Sequence, residues 1–71
     1  MPIVQIHLMH GRSNEQKKLL VAKVTEAICN SIDVVPEKVK IILSDMMPND
    51  YAIGGTLMMD QEGPYKDKGK K

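Results

Sequence analysis

Three short stretches in fixed order constrain this chain more than anything else in it: an alternating run, a helix-period run and a second β-rich run. Residues 3–9 read IVQIHLM. Val4, Ile6 and Leu8 fall on one face of an extended segment and Gln5 and His7 on the other, which is the pattern of a half-buried strand. Gly11 interrupts it. Ser13 followed by Gln16 then fits a capping box, in which the serine hydroxyl covers an open N–H of the first helical turn. The spacing predicts a helix from about Asn14 to Ser31, with Leu20, Val24, Ala27, Ile28 and Ile32 as its apolar stripe. Lys17, Lys23, Glu26 and Asn30 are expected to face solvent. Asp33 to Pro36 ends the helix, because the residue before a proline is driven out of the helical region. Val39 to Ser44 read as a second strand, with Val39, Ile41 and Leu43 toward the helix and Lys38 and Lys40 away from it.

Strand, helix and strand joined this tightly make a right-handed unit with two parallel strands. The predicted class is therefore α/β (α+β): one β-α-β subunit with a long helix, plus a short C-terminal hairpin or extended segment near Leu57 to Met59. The stretch MMPNDYAIGGT reads as turn and loop, since Pro48-Asn49-Asp50 and Gly54-Gly55 are strong breakers. Residues 1–60 form the domain. Residues 61–71 form a charged tail with almost nothing apolar, expected to be flexible.

Such a unit has a thin core. The chain has 71 residues, no Phe, no Trp, two Tyr and six Met, so the large aromatic contributions to burial are missing. A chain near 60 residues buries only about 60% of the surface its unfolded form exposes. The single cysteine, Cys29, leaves no internal disulfide, and no Cys/His set has zinc spacing. Parallel strands are normally covered on both faces, and here Ile3, Met9 and Ile42 lie on the uncovered one. Another subunit is the expected cover, so the chain reads as a homo-oligomer.

Ten basic against nine acidic residues give a formal charge of +1. That balance argues against nucleic acid or a membrane surface as partner. There is no apolar run of the ~18 residues a membrane span needs and no basic-then-apolar leader. With a free thiol, the expected location is cytoplasmic.

Two residues stand out chemically. Pro2 opens the first strand, where a missing N–H costs nothing. Initiator methionine is commonly removed before small residues, and its loss would leave Pro2 as a rigid secondary amine. An ordinary α-amino group has a pKa of about 7.7–8.0. Burial beside a cation would favour the neutral amine and make it a general base near neutral pH. Arg12 is the only arginine and sits just ahead of the helix cap, where a cation is electrostatically unfavourable. A guanidinium and open helix N–H groups together suit a carboxylate.

Pro2, the GRSNEQK helix start and the YAIGG loop, in this order and spacing, resemble the 4-oxalocrotonate tautomerase family over roughly residues 1 to 57. The resemblance implies a cofactor-free isomerase built from β-α-β subunits paired into dimers and a hexamer, with sites drawn from more than one subunit. It implies that mature Pro2 shuttles a proton between carbons of a small enol or unsaturated keto acid, a carboxylate substrate whose end Arg12 would bind. Lys40 stands where the family's best-known members carry a second arginine, and Tyr51 where they carry a phenylalanine. Lysine keeps the charge and loses the bidentate fork. Tyrosine keeps the apolar wall and adds a hydroxyl. The expected catalytic residues are thus Pro2 and Arg12, beside substrate-binding Lys40 and Tyr51, with no metal.

Two rival readings follow from the same residues. A hydratase-like or dehalogenase-like lyase on this fold would need the amine protonated. A non-catalytic assembly module would keep Met1, or would have lost the second arginine's role at Lys40. Other candidates are weaker: His7 and His10 point to opposite faces of a strand, Gly54-Gly55 lacks a phosphate-loop pattern, and Cys29 has no paired His and Asp.

Overall fold

The computed structural model describes residues 1–63. The expected flexible tail falls mostly on residues 64–71, outside the described residues. Strand β1 (Ile3–Met9) leads into helix α1 (Asn14–Ile32), a 3-10 turn at Pro36–Lys38 and strand β2 (Lys40–Met46). Two short strands, β3 (Ala52–Ile53) and β4 (Thr56–Leu57), precede a second 3-10 turn at Met58–Asp60.

The parallel pairing of β1 with β2 runs from Ile3 opposite Lys40 to Met9 opposite Met46. It continues one bond further at each end, where Lys40 N–H donates to Pro2 O at 3.0 Å and His10 N–H to Met46 O at 2.7 Å. The second strand thus begins one residue later and ends two residues later than the apolar alternation suggested. Met46 extends it because its carbonyl is still needed by the first strand, a constraint set by the partner rather than by hydropathy.

The predicted cap forms in full. Ser13 Oγ accepts from Gln16 N–H at 3.1 Å and Gln16 Oε1 accepts from Ser13 N–H at 2.9 Å. At the other end Asp33 adopts a left-handed conformation (φ 60°, ψ 55°) and its N–H donates to Cys29 O. A short polar side chain tolerates that conformation, so the helix stops three residues ahead of Pro36. The proline instead opens the 3-10 turn, with Val35 extended before it.

The predicted helix-facing positions Val4, Ile6, Leu8, Ile41 and Leu43, and Leu20, Val24 and Ile28 of α1, are all only half-buried. Among the described residues none is fully buried. Burying a Leu or Ile side chain completely contributes about 1.5–3 kcal/mol, and every one of these positions falls short of that. Two members of the expected stripe depart from it: Ala27 is exposed and Ile32 is 57% exposed. They border a groove beside Pro2 that the described residues leave open. On the opposite sheet face Ile3 is 60% and Ile42 50% exposed, while Met9 is half-buried.

Beyond β2, the expected short C-terminal segment forms as a hairpin, beginning within the stretch read as turn and loop. Ala52 pairs with Leu57 and Ile53 with Thr56, antiparallel. Gly54 and Gly55 have φ of 63° and 86°, the two positive values that a two-residue hairpin turn with matching twist requires.

Candidate active site

Parallel pairing sorts the four candidate residues into two groups. Pro2 precedes β1 and Lys40 begins β2, so both lie at one end of the sheet. Arg12 follows β1 and Tyr51 follows β2, so both lie at the other end. Seven residues of strand separate the ends, about 20 Å at a rise of ~3.3 Å per residue. One chain therefore does not bring Pro2 together with Arg12 or Tyr51.

At the first end Pro2 is half-buried and forms the mouth of an apolar groove of about 430 Å³ with Val4, Val24, Ala27, Ile28 and Ile32. The groove exists because even-numbered positions of β1 face the helix, and residue 2 continues that series. Lys40 is tied to Pro2 through the backbone, its N–H donating to the Pro2 carbonyl at 3.0 Å. Residue 40 alternates with Val39 and Ile41, which face the helix, so its exposed side chain leaves the sheet on the other face. In a single chain the Lys40 ammonium is thus not on the groove side of Pro2.

At the second end Arg12 is exposed and lines a cleft of about 270 Å³ with Leu8, Gln16, Lys17 and Leu20. The capping box consumes the Gln16 N–H and the Ser13 N–H. Lys17 is tied elsewhere as well: its Nζ lies 2.7 Å from Asp45 Oδ2, joining the first turn of α1 to the end of β2. The cleft is a positively charged hollow with an apolar floor, which suits the carboxylate end of a small organic acid.

Tyr51 is 42% exposed, on a loop held by backbone and side-chain bonds rather than by packing. Its carbonyl accepts from Met58 N–H at 2.8 Å, and Pro48 O accepts from Met59 N–H at 3.1 Å. Asp50 Oδ2 accepts from Met47 N–H at 3.0 Å while Asp50 N–H returns a 2.8 Å bond to Met47 O. Gln61 closes the hairpin, its Nε2 donating to Thr56 O at 3.0 Å and to Ile53 O at 3.4 Å.

Asp45 and Gln61 are contributors that the sequence reading passed over. Asp45 carried a signal: it is the next helix-facing position after Val39, Ile41 and Leu43, yet it is charged. Gln61 carried none, since its bonds depend on where the hairpin carbonyls lie. Among the described residues no group of three or more His, Cys, Asp and Glu side chains is placed to hold a metal ion. Within the same residues no helix is long and apolar enough to cross a membrane.

Residues 2–61 match the family model described as "Tautomerase enzyme". The chain is 46% identical to a 2-hydroxymuconate tautomerase of Pseudomonas fluorescens over 55 residues, 78% of this chain and 87% of that protein. Among solved structures it is similar to a 4-oxalocrotonate tautomerase isozyme of Methylibium petroleiphilum (TM-score 0.77, 35% identity, covering 80% of this chain and 89% of that one). It is also similar to a heterohexamer 4-oxalocrotonate tautomerase of Chloroflexus aurantiacus (TM-score 0.80, 29% identity, covering 87% and 100%). A parallel β-α-β unit, a family match across nearly all the described residues and relatives of this closeness lead to one assignment: the chain belongs to the tautomerase family, as an isomerase of the 4-oxalocrotonate tautomerase type.

Proposed function

We propose that the protein moves a proton between positions of a small enol or unsaturated keto acid, without a cofactor, using Pro2 as general base. Removal of Met1 frees the Pro2 amine at the mouth of the apolar groove. The neutral amine takes a proton from one position of the bound acid, and the resulting ammonium returns it to a different carbon, so no atom is gained or lost. Low local polarity favours the neutral amine before the reaction. It also strengthens any cation placed near the negative charge that develops as the proton leaves. The observation that carries this reading is the position of Pro2, at a strand start and lining an apolar groove.

The remaining roles need a second copy of the chain. Arg12 holds the substrate carboxylate in its cleft, Tyr51 supplies an apolar wall, and Lys40 contributes positive charge toward the developing enolate. Since Arg12 and Tyr51 lie about 20 Å from Pro2 within one subunit, a neighbouring subunit must present its second end to this subunit's first. The exposed Ile3 and Ile42 and the lack of any fully buried described residue support a homo-oligomer, as dimers assembled into a hexamer. The described assembly of the Chloroflexus relative as a heterohexamer agrees with subunits meeting in this number. The relative named a 2-hydroxymuconate tautomerase supports an unsaturated hydroxy acid as the substrate class. A free thiol at Cys29 fits a cytoplasmic setting.

The test uses processed protein, its mass checked for the loss of one methionine, with phenylenolpyruvate as substrate. A general base works only when unprotonated, so kcat/KM should rise with pH through the pKa of the Pro2 amine. A rate that instead falls over that range would mean the amine acts as an acid, as in a lyase of the hydratase or dehalogenase kind.

A further inference from the structure

The helix-facing side of β2 is apolar at Val39, Ile41 and Leu43, and then Asp45 takes the next position in the series. In the sheet register Asp45 lies beside Leu8, which lines the Arg12 cleft. Its carboxylate pairs with Lys17, at 2.7 Å, and Lys17 lines the same cleft. The side chains are 27% and 45% exposed, and ion pairs this wet contribute little to stability, roughly 0–1 kcal/mol. Stability therefore does not account for a carboxylate here. Charge does: Arg12 and Lys17 together would give the cleft two positive charges, and Asp45 cancels one of them.

We propose that Asp45 is a specificity-determining residue, which sets the Arg12 cleft to receive a singly charged carboxylate and to discriminate against a doubly charged head group such as a phosphonate. This rests on the reading of the cleft as the substrate's carboxylate site. Asp45 acts through Lys17 and through the field in the cleft, without touching the reacting atoms. The electrostatic free energy of a ligand scales with its charge. Removing one negative charge from beside the cleft should thus change the affinity of a dianion by the square of the factor found for a monoanion.

Two aromatic inhibitors of similar shape make the comparison at pH 8.5: phenylacetate, singly charged, and benzylphosphonate, largely doubly charged. Inhibition constants are measured with phenylenolpyruvate as substrate. Asp45→Asn should tighten phenylacetate by about twofold and benzylphosphonate by about fourfold, for a unit charge some 8 Å away in a watery cleft. Both gains should shrink as salt is raised. Lys17→Gln/Asp45→Asn has the same net cleft charge as the wild type and should return the ratio of the two constants to the wild-type value. Asp45→Ser repeats the test if the asparagine variant folds poorly by circular dichroism. An unchanged ratio in Asp45→Asn, weaker binding of both inhibitors, or a double variant that keeps the altered ratio would each overturn the proposal. Arg12→Ala separates the two levels. If it abolishes phenylacetate inhibition while Asp45→Asn leaves the ratio unchanged, only the role of Asp45 fails. If Arg12→Ala leaves phenylacetate binding intact, the carboxylate reading of the cleft fails and the role of Asp45 with it.

Discussion

The two ends of the parallel sheet differ in what holds them and in what they offer a substrate. The Pro2 end is apolar: a groove bordered by Val4, Val24, Ile28 and Ile32, with the chain start fixed by one backbone bond from Lys40. The Arg12 end is polar and cross-linked, by the Ser13–Gln16 capping box, the Lys17–Asp45 pair and the bonds of the Tyr51 loop. Proton transfer to an amine is helped by a dry surround that keeps the amine neutral, whereas grip on a carboxylate needs donors. Placing both in one small pocket, with no fully buried side chain among the described residues, would oblige the same few side chains to be dry and wet at once. In the proposed site, separating them along a seven-residue strand and rejoining them between copies avoids the conflict.

Blocking the Pro2 end should have the largest effect. One extra residue ahead of Pro2 turns the amine into an amide, which cannot accept the proton. Turnover of phenylenolpyruvate should vanish while circular dichroism and the assembly mass stay those of the wild type; an active extended form would reduce Pro2 to a strand opener. Next comes the opposite end. Arg12→Ala should lower kcat/KM for carboxylate substrates by ~1.5–3 kcal/mol, about ten- to 150-fold, the range for a hydrogen bond to a charged group. Steady-state kinetics on a carboxylate and on its methyl ester check it, since the ester should lose far less.

Gln61→Ala probes how the Tyr51 loop is held, without touching either end's charged groups. Loss of the two bonds to Ile53 O and Thr56 O should weaken the hairpin by about 0.5–1.5 kcal/mol, read as faster amide exchange at Met58, whose N–H bonds to Tyr51 O. Tyr51→Phe keeps the apolar wall and removes only the hydroxyl, so its effect on kcat/KM should stay below about 1 kcal/mol. Ending the chain after Gly63 should change turnover least of all, because the family match stops at residue 61.

The β-α-β body was legible in the sequence because its signals are local. Alternation at Val4, Ile6 and Leu8 and the Ser13–Gln16 box each specify their own neighbourhood, and the parallel pairing follows from short connections. The hairpin was half legible. Gly54-Gly55 marked the turn, but strands of two residues carry no alternation to read, and Gln61, which closes them, acts across five and eight residues. The helix stop was attributed to Pro36, whereas Asp33 makes it by a left-handed conformation that aspartate only sometimes adopts. For the candidate site, the sequence offered residues but not their relative placement. Pro2 and Arg12 could be named as candidates from their places in the chain, Lys40 and Tyr51 only through the family resemblance, and that the four sit in two groups at opposite ends depends on strand direction. Lys17–Asp45 was hidden for the same reason: a pair 28 residues apart is set by register, not by pattern.

Subunit complementation tests the division of the site most directly. In this account the Pro2-extended variant is inactive and Arg12→Ala is weakened by about ten- to 150-fold, and each retains the end that the other lacks. Unfolded together and refolded as mixed assemblies, some sites will pair an intact Pro2 from the Arg12→Ala chain with an intact Arg12 from the extended chain. Turnover of phenylenolpyruvate should then reappear, well above the sum of the separate variants, in proportion to the mixed assemblies seen by native mass spectrometry. Mixed assemblies that form in good yield and remain as inactive as their parents would contradict the account, because Pro2 and Arg12 would then have to act within a single chain.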